Sequence, residues 1–201
     1  MIYRKFIKRL LDIICALLAL ILLSPLFIIL TIIGAIAMKG NPFFTQERPG
    51  YKEKLFKLIK FRTMTNEKDK DGNLLPDEKR LNGYGKFLRS TSLDEFPEAI
   101  NILKGDMSVI GPRPWLVEYL PYYTEEEHHR HDVKPGLSGW AQVNGRNLVN
   151  WTDRIKLDLY YVNNISLGLD IKIVLMTIIS FIKRDNIELN AIKNLDEERK
   201  S

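Results

Sequence analysis

Residues 10–38 read LLDIICALLALILLSPLFIILTIIGAIAM, an almost unbroken apolar run with Ser24-Pro25 at its middle. A straight helix of that length would be about 43 Å long, more than the roughly 30 Å of hydrocarbon in a bilayer. Pro25 changes this reading. It has no N–H, clashes with the preceding turn and leaves carbonyls near residue 21 without a partner, one of which the Ser24 hydroxyl can take up. Split there, each half holds about 13 or 14 apolar residues and reaches about 20 Å, the length of a re-entrant or interfacial segment. Arg4, Lys5, Lys8 and Arg9 precede the run, and Lys39, Arg48, Lys52, Lys54, Lys57 and Lys60 follow it. A spanning helix would place one basic cluster outside, whereas a helix-break-helix dipping into one leaflet keeps both on the cytoplasmic side. A signal peptide fits poorly, because the run exceeds a signal core and no small-residue cleavage site follows.

Beyond the anchor the pattern shortens. Residues 43–46 and 54–62 read as strands joined at the Arg48-Pro49-Gly50 turn. Residues 66–80 form a polar, exposed loop with Asp71-Gly72 as its tightest point, and no acidic residue stands where an EF-hand needs its bidentate ligand. Helical spacing recurs over 83–89, 92–103, 124–130 and 151–163, with turns at 134–139 and at Asn144-Gly145. Residues 167–182 are apolar but carry Asp170 and Lys172; too short and charged to span, they pack in the core or lie along a bilayer surface. The charged tail from residue 185 is expected to fray. The expected fold is α+β, mainly helical: a membrane anchor over 1–40, a compact cytoplasmic domain over 41–184 with a short β-hairpin and interfacial amphipathic helices, and a polar tail over 185–201.

Composition narrows the chemistry only a little. A net charge of +5 over 201 residues suits an anionic partner, whether acidic lipid, nucleotide phosphate or nucleic acid. Cys15 is the single cysteine, so no intrachain disulfide and no cysteine cluster for a metal exists.

Ser92-Leu93-Asp94-Glu95-Phe96-Pro97 admits two readings. Ser92 with Glu95 satisfies the capping-box pattern, and acidic residues favour a helix's first turn. Alternatively, Asp94 or Glu95 serves as an ionised nucleophile or metal ligand. In Gly111-Pro112-Arg113-Pro114 the two prolines restrain Arg113, which either recognises phosphate or a base edge through its fork or sits solvated in a rigid turn. Lys60, Arg62 and Arg89 supply further cations near the dyad in sequence. His128, His129 and His131 lack the i,i+4 spacing of a helical zinc site and read better as a charged surface. The stretch 140–151 mixes aromatics, amides and Arg146, suited to a base or sugar and equally to ordinary turn and core.

In this order the pieces resemble the small monotopic phosphoglycosyl transferases, the bacterial sugar transferase family, and particularly its short, catalytic-core-only form. The likeness runs over about 4–184 and rests on the Ser24-Pro25-broken segment, FTQERPG at 44–50, KFRTM at 60–64, RSTSLDE at 89–95, KGDMSVIGPRP at 104–114 and KPGLSGWAQVNGR at 134–146. The resemblance implies that a UDP-sugar gives its phosphosugar to undecaprenyl phosphate at the cytoplasmic leaflet of the bacterial inner membrane, releasing UMP, with Mg²⁺ as cofactor and no nucleic acid as partner. By the same resemblance Asp94 would be the nucleophile and metal ligand, and Glu95 its partner in catalysis. Arg113 would hold the nucleotide, with Lys60, Arg62, Arg89 and Arg146 further substrate-binding candidates. A diacetylated dideoxyhexosamine such as bacillosamine is the first sugar expected. Phe96-Pro97-Glu98-Ala99 departs from the Leu-Pro-Gln-Leu of close relatives. Two other functions fit the same residues: a membrane-anchored, Mg-dependent nucleotide-diphosphate hydrolase, and a non-catalytic module binding anionic lipid or nucleic acid.

Overall fold

The computed structural model describes residues 2–145, 150–183 and 195–200. A π-helical turn, Tyr3–Ile7, leads into α1 (Lys8–Leu22), which breaks at Leu23 before α2 (Ser24–Ala37). The break has the cause its sequence implies: Pro25 opens α2, and Ser24 Oγ donates to the Ile21 carbonyl at 2.8 Å. The helix pair is bent by 66° at the break, and among the described residues no single helix is long and apolar enough to cross a membrane.

β1 (Phe43–Pro49) and β2 (Leu55–Phe61) form an antiparallel hairpin, Phe43 opposite Phe61 and Pro49 opposite Leu55. The expected turn at Arg48-Pro49-Gly50 is displaced: both Arg48 and Pro49 belong to the strand, and the chain reverses through Tyr51–Glu53, where Lys52 and Glu53 take positive φ. The polar loop after β2 contains the predicted tight turn at Gly72 (φ +85°), closed by Asp69 Oδ1 accepting from the N–H groups of Asp71 and Asn73. It also contains an unforeseen short helix, α3 (Asp77–Arg80), its first turn acidic and its last basic.

α4 (Gly83–Thr91) begins at the Asn82 cap, and α5 (Glu98–Lys104) follows after a 3₁₀ turn, Leu93–Glu95. The chain continues through β3 (Ser108–Ile110), α6 (Glu125–His128), β4 (Gly136–Ser138), α7 (Trp140–Gly145), α8 (Trp151–Asn163), α9 (Leu167–Lys183) and α10 (Leu195–Lys200). Two expected turns are therefore regular structure. Gly136–Ser138 pairs in parallel with Ser108–Ile110, and Asn144-Gly145 ends α7. The parallel pair needs a close approach, since a Cβ on Gly136 would lie 2.0 Å from the Gly111 nitrogen.

The first two helices pack on the domain as well as exposing apolar surface. Ala16 of α1 joins Leu58, Ala99, Ile102 and Met107 in one cluster, and Leu30 of α2 joins Phe61 and Leu88 in another. Each fully buried aliphatic chain of this kind contributes about 1.5–3 kcal/mol. Polar contacts fix the rest of α1. Buried Asp12 accepts from Ser108 Oγ and the Val109 N–H, both at 2.9 Å, and Arg9 donates to the Ile102 and Leu103 carbonyls at the end of α5. Lys8 bonds Asp170 of α9 at 2.7 Å, and Tyr161 bonds the same carboxylate at 2.8 Å. The opposite faces stay bare: Ile21, Leu22, Ile32 and Ile36 of the first helix pair and Leu175, Phe181 and Ile182 of α9 are exposed.

Candidate active site

The backbone of the dyad segment decides the capping-box reading. Ser92 lies in the left-handed region (φ 55°, ψ 17°), where it closes α4 by donating to the Leu88 and Arg89 carbonyls. It makes no side-chain cap, so the expected capping box and single helix over 92–103 do not form. The capping box in this region of the chain is at Thr124 and Glu127 instead. Glu95 is consequently turned toward distant cations. Its Oε1 receives Lys60 Nζ at 2.7 Å and Arg113 Nη2 at 2.6 Å.

Arg113 is held as firmly as its prolines imply, and from three sides. The Gly136 N–H bonds the Pro112 carbonyl at 2.9 Å, Arg130 Nη2 bonds the Arg113 carbonyl at 2.8 Å, and Arg48 Nη1 bonds the Pro114 carbonyl at 3.3 Å. Arg130 is itself buried, paired with Asp158 at 2.8 Å and stacked 3.9 Å from the Trp115 ring centre. Neither Arg48, Arg130 nor Asp158 was legible as a site residue, because each acts across the fold and not along the chain.

The two carboxylates titrate in opposite directions. Burial alone would raise both; for Glu95 the Arg113 and Lys60 charges overcome it and bring the group down to about 2. Asp94 is raised, first by burial and then by the Glu95 charge. It forms no salt bridge among the described residues. Such a split is how two adjacent carboxylates come to different tasks.

Asp94 lies where two spaces meet. One is a cavity of about 920 Å³ running from Glu95 and Arg113 to apolar side chains of α1, the break and α9, including Ala19, Leu23, Ile178 and Phe181. The other is a cleft of about 350 Å³ lined by Arg48, Arg62, Arg80 and Phe44. Lys60, Arg89 and Asp94 line both. Beneath the cleft wall, Arg62 and Arg48 each keep a buried Nε without a partner among the described residues, and Arg89 donates to Thr63 Oγ1 at 3.1 Å. A cation-rich wall suits a phosphate-bearing ligand. The expected candidates Lys60, Arg62, Arg89 and Arg113 thus converge on Asp94 and Glu95. Arg146 lies outside the described residues.

Glu98 is a fourth member of this network. It is 3% exposed, and its Oε1 lies 3.1 Å from Lys60 Nζ. Burial first, then the Glu95 charge, raise it to about 7. An acid raised on folding contributes stability that is full below its ordinary value and lost as pH rises through the raised one. Between about pH 4.5 and about pH 8, the wild type is expected to lose roughly 1–3 kcal/mol relative to Glu98→Gln. Thermal melts across that range test this, and parallel pH dependence of the two proteins would contradict it.

The histidines disperse. His128 faces Glu53, His129 faces Asp132, and burial, followed by the Arg130 charge, holds His131 at about 3. Among the described residues, no three His, Cys, Asp or Glu side chains converge as a metal site.

The model of the bacterial sugar transferase family matches residues 3–184. Over 174 residues the sequence is 51% identical to the "Uncharacterized sugar transferase EpsL" of Bacillus subtilis, covering 86% of this chain and 85% of that protein. It is 41% identical over 181 residues to the UDP-glucose:undecaprenyl-phosphate glucose-1-phosphate transferase of Klebsiella pneumoniae, covering 85% of this chain and 39% of that enzyme. It is 37% identical over 200 residues to the undecaprenyl-phosphate galactose phosphotransferase of Salmonella typhimurium, covering 90% of this chain and 41% of that enzyme. The chain thus spans most of EpsL and about two fifths of the two relatives named for their substrates. It belongs to the bacterial sugar transferase family.

Proposed function

We propose that this chain transfers a phosphosugar from a UDP-sugar to undecaprenyl phosphate at the cytoplasmic face of the membrane, through a covalent intermediate on Asp94. The observation that carries the reading is the position of Asp94: a carboxylate without an ion pair among the described residues, between a cation-lined cleft and an apolar-walled cavity. One substrate is a soluble polyanion and the other a long lipid with a phosphate head, and those two spaces match them. Asp94 attacks the β-phosphorus, the bond to the bridging oxygen breaks, and UMP leaves with that electron pair. An oxygen of the lipid phosphate then attacks the same phosphorus and breaks the acyl-phosphate bond, which frees Asp94 and forms the lipid diphosphate sugar. In-line displacement places both the departing UMP and the arriving lipid phosphate opposite Asp94, so they use one position in turn.

Lys60 and Arg113 fix the charge and orientation of Glu95, and with Arg89 they face the phosphates. Magnesium is commonly held by one or two carboxylates together with substrate phosphates, and Asp94 beside a phosphate site fits that donor set. Bound there, it would neutralise charge developing on the diphosphate.

The exposed apolar faces of the first helix pair and α9 support a monotopic seat in one leaflet, with the 66° bend keeping the pair from forming one straight span. In a Cys15→Ala background, cysteines at Ile2→Cys and Asp71→Cys are expected to be labelled only from the cytoplasmic side of intact cells. Labels on opposite sides would contradict the re-entrant reading.

UMP release measured over a panel of UDP-sugars tests the reaction. N,N'-diacetylbacillosamine is the first sugar to try, beside the glucose, galactose and N-acetylgalactosamine in relatives' names. Release that needs undecaprenyl phosphate and favours one sugar is expected. Release that proceeds equally without lipid would identify a hydrolase, and no release from folded protein would favour a binding module.

A further inference from the structure

The cation-lined cleft contains one residue that its phosphate chemistry does not call for. Phe43 and Phe44 are neighbours on β1, and alternation along a strand sends their side chains to opposite faces. Phe43 turns inward, its ring centre 5.4 Å from that of Phe61 and 6.0 Å from that of Phe27. Phe44 turns to the other face, which it shares with Gln46 and Arg48, and there it lines the cleft. It is 44% exposed and has no ring partner among the described residues, so core packing does not account for it. In register it stands opposite Lys60, so the two side chains leave the sheet about 5 Å apart. Arg62, the next residue on that face, donates from Nη2 to the Phe43 carbonyl at 3.3 Å, which sets a guanidinium beside the Phe43-Phe44 peptide.

We propose that Phe44 is the platform on which the uracil ring of the UDP-sugar stacks, with the phosphates running back over Lys60, Arg62 and Arg89 to Asp94. The proposal rests on the phosphoglycosyl transferase reading and adds to it where the nucleoside is held. The mixture of one exposed ring with several cations selects the occupant. Inorganic phosphate or pyrophosphate would use the cations and leave the ring in water. A prenyl chain would cover the ring and leave the cations unpaired, and it has the apolar wall of the larger cavity instead. A nucleotide uses both. Connectivity places it on this side of the dyad. The uridine is joined through the α-phosphate to the phosphorus that Asp94 attacks, and Asp94, Lys60 and Arg89 stand where cleft and cavity meet. A nucleoside entering the cleft from there passes along the Lys60 and Phe44 pair. Every base has a π-face, so the ring holds the nucleoside without choosing its base.

The test uses the full chain in detergent with Phe44→Leu, which stays apolar but loses the aromatic face, and Phe44→Tyr, which keeps it. For Phe44→Leu, affinity for UDP, read by titration calorimetry, is expected to fall about 10- to 100-fold, and for Phe44→Tyr to stay close to the wild type. Transfer through a covalent intermediate is a ping-pong sequence, in which kcat/KM for each substrate reports its own half-reaction. In Phe44→Leu, kcat/KM for the UDP-sugar is expected to fall by the same factor and kcat/KM for undecaprenyl phosphate far less. An equal fall for both substrates, not recovered in Phe44→Tyr, would mean a purely structural role and would overturn the proposal. A fall for the lipid alone would put the prenyl chain or the bilayer against the ring, and unchanged UDP affinity would leave no base there; either result overturns it. Wild-type protein that binds neither UDP nor any UDP-sugar would overturn the transferase reading, and this inference with it.

Discussion

Asp94→Asn is expected to lower phosphosugar transfer by at least about 10⁴-fold while leaving the fold intact. The amide matches the carboxylate in shape but has no anionic oxygen to offer the phosphorus. Nothing structural depends on that charge, because Asp94 forms no salt bridge among the described residues, whereas Glu95 is bound by Lys60 and Arg113. Glu95→Gln should therefore behave differently. It weakens two charge-assisted hydrogen bonds and loosens Arg113, which slows transfer by about 10- to 10³-fold but still permits a covalent intermediate on Asp94. Rates for the two variants, normalised to folded protein, check the assignment; equal losses would remove the distinction between nucleophile and partner.

The largest loss of stability is expected from Arg130→Met. Arg130 and Asp158 are both about 1% exposed in their side chains, and Arg130 also stacks on Trp115 and bonds the Arg113 carbonyl. Removing one partner strands a buried charge, a change that costs about 3–5 kcal/mol. For a chain of this size that lowers Tm by on the order of 10 °C. The double variant Arg130→Met with Asp158→Leu removes both charges and should recover most of the stability, though not the transfer rate, since Arg113 remains unsupported. A double variant as unstable as the single one would show that the cost lies in lost packing on Trp115 rather than in the stranded carboxylate.

What the sequence discloses follows the range of the interactions involved. The Ser24-Pro25 break is local chemistry, and its Ser24-to-Ile21 hydrogen bond could be foreseen from two adjacent residues. The hairpin and most helices follow from short-range periodicity, and the restrained Arg113 follows from its flanking prolines. The capping-box expectation failed because an equally local pattern, S-x-x-E, was outweighed by distant partners. Packing of Leu88 carries α4 through Thr91, so Ser92 must close that helix, and Glu95 finds Lys60 and Arg113 across the fold. The turn expected at 134–139 failed for the same reason. A three-residue parallel strand has almost no signature of its own, and Gly136 reads as a turn residue until Gly111 is seen against it. Glu98 stands out in sequence only against the pattern the resemblance implies, and its contact with Lys60 needs the fold to become visible.

The most direct test of the central claim is the intact mass of the purified chain after incubation with its UDP-sugar and Mg²⁺ in the absence of lipid. The account predicts a mass increase of one phosphosugar, located on Asp94, with one UMP released per chain and the adduct discharged by undecaprenyl phosphate. UMP released only when the lipid is present, with no adduct on the wild type under any condition, would contradict a covalent intermediate and with it the role assigned to Asp94.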